Sequence, residues 1–151
     1  NFTKNTISNN WEKIALPHTY NPTDMQLGRD FYTGDAFYKK DCLVGNELRG
    51  KRIFLRFEAA AQVATVYFNG RFLTEHRGGY SAFSFEITNV AQFGEINNIL
   101  VKTNNVASKS IVPVNHFLFP IYGGIYRPAV MIVTSPVNIT VTDHASSGIQ
   151  V

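Results

Sequence analysis

The sequence predicts an all-β fold in which two antiparallel sheets pack as a sandwich, and three observations predict it. Apolar and polar residues alternate along nearly the whole chain, the pattern of strands buried on one side. No stretch keeps an amphipathic helical period beyond about three turns. Turn residues recur between the alternating segments, and 12 Phe among 151 residues supply bulk for a core between two layers.

The elements follow in order. A weak alternation over 37–44 opens the series and takes in the lone Cys42, which reads as a small buried hydrophobe. Over 52–58, Ile53, Leu55 and Phe57 face one way while Arg56 and Glu58 face the other. A weaker version at 63–68 runs into Asn69-Gly70 and then Arg71-Phe72-Leu73. Both turn residues accept positive φ, so a tight hairpin is expected there. Over 83–88, Phe83, Phe85 and Ile87 oppose Ser84, Glu86 and Thr88. Thr88-Asn89 is suited to cap one short turn running to Phe93, ended by Gly94. The segments 99–104 and 129–134 alternate weakly. Val137, Ile139 and Val141 then alternate with Asn138, Thr140 and Thr142, predicting a last strand over 137–143. Two connections, 17–32 and 105–124, are long and not strand-like. Loops of that length are usually functional or pinned by another domain.

Composition narrows the function. Hydrophobic residues make up 44% and charged ones 17%, the balance of a folded globular domain. The net charge of +3 and pI near 9.1 come from single or paired basic residues such as Lys39-Lys40 and Lys51-Arg52, with acids interspersed. That describes a solvated sheet face rather than a nucleic-acid footprint. No apolar run approaches the roughly 20 residues of a membrane span, so no membrane partner is expected. The start, Asn1-Phe2-Thr3-Lys4, lacks a basic-then-apolar signal pattern. His18, His76, His116 and His144 lack ligand spacing and there is one cysteine, so neither a metal site nor a cofactor is expected. Ser, His and Asp are present without a Gly-x-Ser-x-Gly elbow.

The turn and loop segments are more specific than the strands. Trp11 with Leu16-Pro17-His18-Thr19-Tyr20-Asn21 comes first, then Phe31-Tyr32-Thr33-Gly34-Asp35-Ala36-Phe37-Tyr38. Val66-Tyr67-Phe68-Asn69-Gly70, Gly78-Gly79-Tyr80-Ser81-Ala82-Phe83 and Gly123-Gly124-Ile125-Tyr126-Arg127 follow. This ordered set, spanning about residues 11 to 135, resembles the amino-terminal sugar-binding domain of family 2 glycoside hydrolases, the β-galactosidase and β-glucuronidase family. The resemblance implies a jelly-roll β-sandwich of the galactose-binding type. It also implies a multidomain parent, β-galactosidase-like, in which an immunoglobulin-like domain and a (β/α)8 barrel follow. Residues 1–151 would then be one domain with a core of about 11–143, and 144–151 would lead to the next. Such a parent admits a periplasmic or extracellular location.

Retaining glycoside hydrolysis needs two carboxyl groups about 5 Å apart. In the family these lie on the barrel, so no catalytic residue is nominated here. The resemblance instead implies two loops that reach the substrate. One precedes Gly123-Gly124, and Leu118 stands where the family commonly has an Asp. Asn115 and His116 are the nearest polar substitutes, able to hydrogen-bond sugar hydroxyls. The other includes Tyr32, whose ring would lie against a sugar face, and Asp35, whose carboxylate would accept from hydroxyls. Structural readings stand beside these: Asn115 satisfying loop backbone groups, and 32–35 as a turn with a packed ring leading into a strand. The carbohydrate partner is expected in the intact enzyme; an autonomous carbohydrate-binding module is the alternative.

Overall fold

A computed structural model describes residues 10–114 and 120–149. Seven strands lie among them: β1 (Asp35–Val44), β2 (Arg52–Phe57), β3 (Val63–Phe68), β4 (Arg71–Arg77), β5 (Phe83–Glu86), β6 (Glu95–Asn104) and β7 (Ala129–Thr134). A single 3-10 turn, Asn46–Leu48, is the helical element among the described residues. The strands form two antiparallel sheets, ordered β1-β6-β3-β4 and β5-β2-β7. The predicted all-β sandwich is the fold observed.

Period two explains which faces meet. Ile53, Leu55 and Phe57 of β2 and Ala64, Val66 and Phe68 of β3 are buried in one core with Val44, Phe83, Ile87, Val101 and Ile125. The rings of Phe57 and Phe83 stack at 5.0 Å. Each fully buried side chain of this size contributes about 1.5–3 kcal/mol of hydrophobic stabilisation. The longest ladder joins β1 to β6, from Asp35↔Asn104 to Val44↔Glu95.

The Asn69-Gly70 hairpin forms as expected, with φ of +49° and +76° and Phe68 paired to Arg71. The Asn69 side chain also accepts from the Asn98 backbone N–H (2.9 Å) and donates to Asn97 Oδ1 (2.9 Å), pinning the turn against β6.

Two expectations change. The turn at Thr88 closes through Val90 and Ala91 N–H donating to Ile87 O at 3.0 and 2.9 Å, and does not run on to Phe93 as a helical turn. The Thr88 hydroxyl is taken by another strand instead, accepting from the Ile53 N–H at 2.9 Å. Gly94, with φ of +83°, donates to Val44 O and immediately precedes β6.

The segment 137–143 forms no strand. Arg52, Phe54 and Arg56 alternate with Ile53, Leu55 and Phe57 and lie on the other face of β2, where Phe54 is itself wholly buried, and Ser84 lies opposite Arg56 on the same face. From this outer face Arg52 donates to Asn138 Oδ1 (2.9 Å), the Ser84 hydroxyl to Val141 O, and Arg56 to Ala145 O. The segment is thus tethered by side chains across a sheet face, where its backbone has no ladder to join. Alternation cannot distinguish such a tether from a strand, and Val137 is left 92% exposed.

Candidate functional site: two long connections joined into one rim

The 17–32 connection begins by pairing with the chain at the end of the second connection. His18 N–H donates to Ile125 O (2.8 Å) and Tyr20 N–H to Gly123 O (3.1 Å). It then closes a turn, with Leu27 N–H donating to Thr23 O at 3.0 Å and Gly28 supplying a φ of +64°. Asp24 Oδ2 accepts from the Tyr32 N–H at 3.1 Å, returning the chain to the rim.

Two wholly buried carboxamides complete the join. Asn21 donates to Tyr32 O (2.9 Å) and accepts from the Gly123 N–H (3.0 Å). Asn105, the residue after β6, donates to Tyr32 O (3.2 Å) and Ile121 O (2.8 Å) and accepts from the Gly34 N–H (2.8 Å). A third buried amide, Gln62, donates to Pro113 O at 3.0 Å, while its own backbone is held by Asn104 O and Gly78 N–H. Its Oε1 has no hydrogen-bond partner among the described residues. These three amides hold the second connection at its middle, Pro113, and near its end, at Ile121 and Gly123.

The glycines fit this closeness. A Cβ on Gly123 would run into the Tyr20 phenol, and one on Gly124, whose φ is +130°, into His18 O. Tyr20 donates its hydroxyl to Gly34 O at 3.1 Å. Burial, and then the neighbouring phenol of Tyr38, raises the Tyr20 pKa well above the ordinary phenol range. Burial pushes Tyr38 up to about 12, and its hydroxyl sits 3.0 Å from His18 Nδ1. Both phenols are therefore neutral at physiological pH. A further tie runs from the Tyr126 hydroxyl to Gly79 O.

Of the residues nominated from sequence, Tyr32 and Asp35 lie on this rim. The Tyr32 ring is 49% exposed, meets Tyr20 edge-on at 5.6 Å and donates its hydroxyl to Asp35 O at 2.9 Å. Asp35 begins β1, with Oδ1 accepting from Asn104 Nδ2 (2.6 Å) and Oδ2 3.6 Å from Lys102 Nζ. A carboxylate has about four acceptor positions, so capacity remains. Asn115 and His116 fall in 115–119, outside the described residues. Tyr122, half-exposed, adds a ring that meets Phe31 edge-on at 5.7 Å. The rim presents the exposed rings of Tyr32 and Tyr122 beside the carboxylates of Asp24 and Asp35, while the Tyr20, Asn21, Tyr32 and Asn105 donors are engaged by backbone carbonyls.

Sequence reasoning missed Asn21, Gln62 and Asn105. The available signal was only that short amides favour loops, where they usually bond locally. Here the partners are as far off as 71 and 102 residues.

A model of the sugar binding domain of family 2 glycosyl hydrolases matches residues 7–136. A β-glucuronidase of Bacteroides fragilis is 39% identical over 157 aligned positions, covering 95% of this chain and 22% of that protein. A β-galactosidase of Thermoanaerobacter pseudethanolicus is 35% identical, covering 78% of this chain and 16% of that protein. Among solved structures, a putative β-galactosidase from Bacteroides fragilis superposes with a TM-score of 0.86 at 49% identity, over 91% of this chain and 20% of that one. A Bacteroides uniformis β-glucuronidase gives 0.84 at 36%, over 90% and 16%. The chain thus spans about a fifth of the length of the relatives it matches.

Proposed function

The chain belongs to glycosyl hydrolase family 2, as its sugar-binding domain with the jelly-roll sandwich fold, and from that membership we propose that it serves a β-glycoside-cleaving enzyme as its non-catalytic amino-terminal domain. In this reading residues 1–151 are one domain that shapes the active-site rim, with 144–151 leading onward. It anchors an immunoglobulin-like domain and a (β/α)8 barrel, and the barrel supplies the acid and nucleophile carboxylates. Similar proteins are named β-glucuronidase as well as β-galactosidase, so a β-glucuronide stands beside the β-galactoside expected first.

The observation that carries this reading is the joining of two long connections into one rim, with Tyr32 on it. Tyr32 stacks against a sugar face, Asp35 accepts from a hydroxyl, and Asn115 and His116 bond further hydroxyls. In the full-length enzyme, Asn115→Ala and Tyr32→Ala should each weaken kcat/KM on a small chromogenic β-glycoside, by about tenfold, since one substrate hydrogen bond contributes about 1–2 kcal/mol. Wild-type kinetics in both variants would remove the rim from the substrate.

A second reading, an autonomous carbohydrate-binding module, draws support from the half-exposed rings of Tyr32 and Tyr122. Calorimetric titration of galactose and glucuronate into the isolated chain separates the two. A rim offering one or two hydrogen bonds gains about 0.5–1.5 kcal/mol from each, too little to offset the entropy lost on association. Binding tighter than about 0.1 mM, near 5.5 kcal/mol, favours the module. Turnover by the isolated chain would instead sink the non-catalytic assignment.

A further inference from the structure

We propose that Asn21 and Asn105 are positioning residues, a buried amide frame that sets Tyr32 and Gly34 on one connection against Ile121 and Gly123 on the other and thereby governs affinity for the glycoside. The inference rests on the rim meeting substrate, as proposed above.

Both side chains are wholly buried, and each oxygen and nitrogen is engaged. The Tyr32 carbonyl receives a bond from each amide, so the residue that carries the exposed ring is fixed by its backbone from two directions. Asn105 also grips Gly34 on one side and Ile121 on the other. An apolar side chain at 105 would leave the Gly34 N–H and the Tyr32 and Ile121 carbonyls without this partner, so the amide contributes stability as well as placement. Hydrogen bonds are directional and hold heavy atoms within a few tenths of an ångström. A binding group misplaced by about 1 Å loses most of its contribution. The frame carries no charge, so what it fixes is distance rather than potential.

The test uses full-length enzyme and a chromogenic β-galactoside or β-glucuronide. Asn105→Ala and Asn21→Ala should each raise KM about tenfold, with kcat per folded molecule held within about threefold. Loss of structure alone lowers the amount of active enzyme and leaves KM unchanged, which would overturn the positioning role. The Asn105→Ala/Tyr32→Ala double variant should show a KM no higher than the worse single variant, because the amide acts through the ring it places. Multiplying effects overturn that route. Hydrogen exchange in the intact protein gives a readout independent of activity. Peptides containing Gly34 should exchange faster in Asn105→Ala and those containing Gly123 faster in Asn21→Ala; unchanged protection overturns the frame itself. If the alanine variants fail to fold, Tyr20→Phe removes a hydroxyl that donates to Gly34 O and accepts from the Asn105 backbone N–H, and should raise KM about two- to threefold. Unchanged KM in Asn105→Ala beside raised KM in Tyr32→Ala and Asn115→Ala overturns the positioning role alone. Unchanged KM in all of them overturns the rim's contact with substrate and the positioning role with it.

Discussion

The four-stranded sheet and the rim beside it are held by different bonds. In the sheet, backbone ladders such as Asp35↔Asn104 to Val44↔Glu95 repeat one interaction many times, and side chains only need to be apolar on the inner face. In the rim, backbone groups meet side chains from far along the chain: Tyr32 O takes both Asn21 and Asn105, Pro113 O takes Gln62. The sheet spreads its stability over many interchangeable contacts. The rim concentrates its geometry in a few residues with no substitute. Sheet variants should therefore act on folding, and rim variants on local order first.

The largest expected effect lies in the sheet. Phe68→Ala, which empties a wholly buried position of β3, should destabilise the domain by about 3–5 kcal/mol in urea denaturation, while Gly34 and Gly123 keep their exchange protection relative to the global value. Asn105→Ala comes next. It leaves the Gly34 N–H and the Tyr32 and Ile121 carbonyls short of a partner and should cost about 2–3 kcal/mol. A loss in Asn105→Ala matching that of Phe68→Ala, with no local change in exchange, would break the comparison.

Acidification sharpens it. The guanidinium of Arg52, helped by the Thr88 hydroxyl, holds the Glu86 carboxyl below its ordinary range, and Arg56 does the same for Glu58. A depressed carboxyl contributes stability that is present above its unfolded value near 4.5 and is lost as pH falls through the lower folded value. Burial likewise lowers His76, which stacks on Phe83 at 4.3 Å, below its ordinary 6.5. Its contribution is present above pH 6.5 and declines as pH falls below that value. Thermal melts should therefore show Tm falling first below about pH 6.5 and more steeply below about 4.5. The neutral amides of the rim should keep their exchange protection until the domain itself unfolds. Selective loss at Gly34 and Gly123 in mild acid would contradict the uncharged make-up of the Asn21 and Asn105 frame.

Smaller effects follow at the surface. Arg52→Ala removes bonds to both Glu86 and Asn138, so limited proteolysis within 137–149 should quicken with only a slight fall in Tm. Lys39→Ala breaks a solvent-exposed pair with Asp41 at 3.8 Å and should shift stability by no more than about 0.5 kcal/mol. A larger loss there would mean that the sheet's surface is less interchangeable than its ladders suggest.

What the chain determined by itself is local. The alternation of Ile53, Leu55 and Phe57 is a property of neighbours two residues apart, and it marks β2 without reference to any partner. Asn69-Gly70 carries its own preference for positive φ, so its hairpin too was legible, and the ordered turn blocks that point to family 2 are short local strings. The same local logic failed at Val137, Ile139 and Val141. Their spacing matches a strand, yet the segment lies over a sheet face and is held by Arg52, Ser84 and Arg56. It failed again at Asn21, Gln62 and Asn105, which in sequence are ordinary loop amides. The β1–β6 ladder, with Asp35 paired to Asn104, brings Gly34 to Asn105 across 71 residues, and only the closure of both long connections brings Gly123 to Asn21 across 102. A buried amide must bond whatever backbone the closed chain presents to it, so its partner is decided by loop closure and not by its neighbours in sequence.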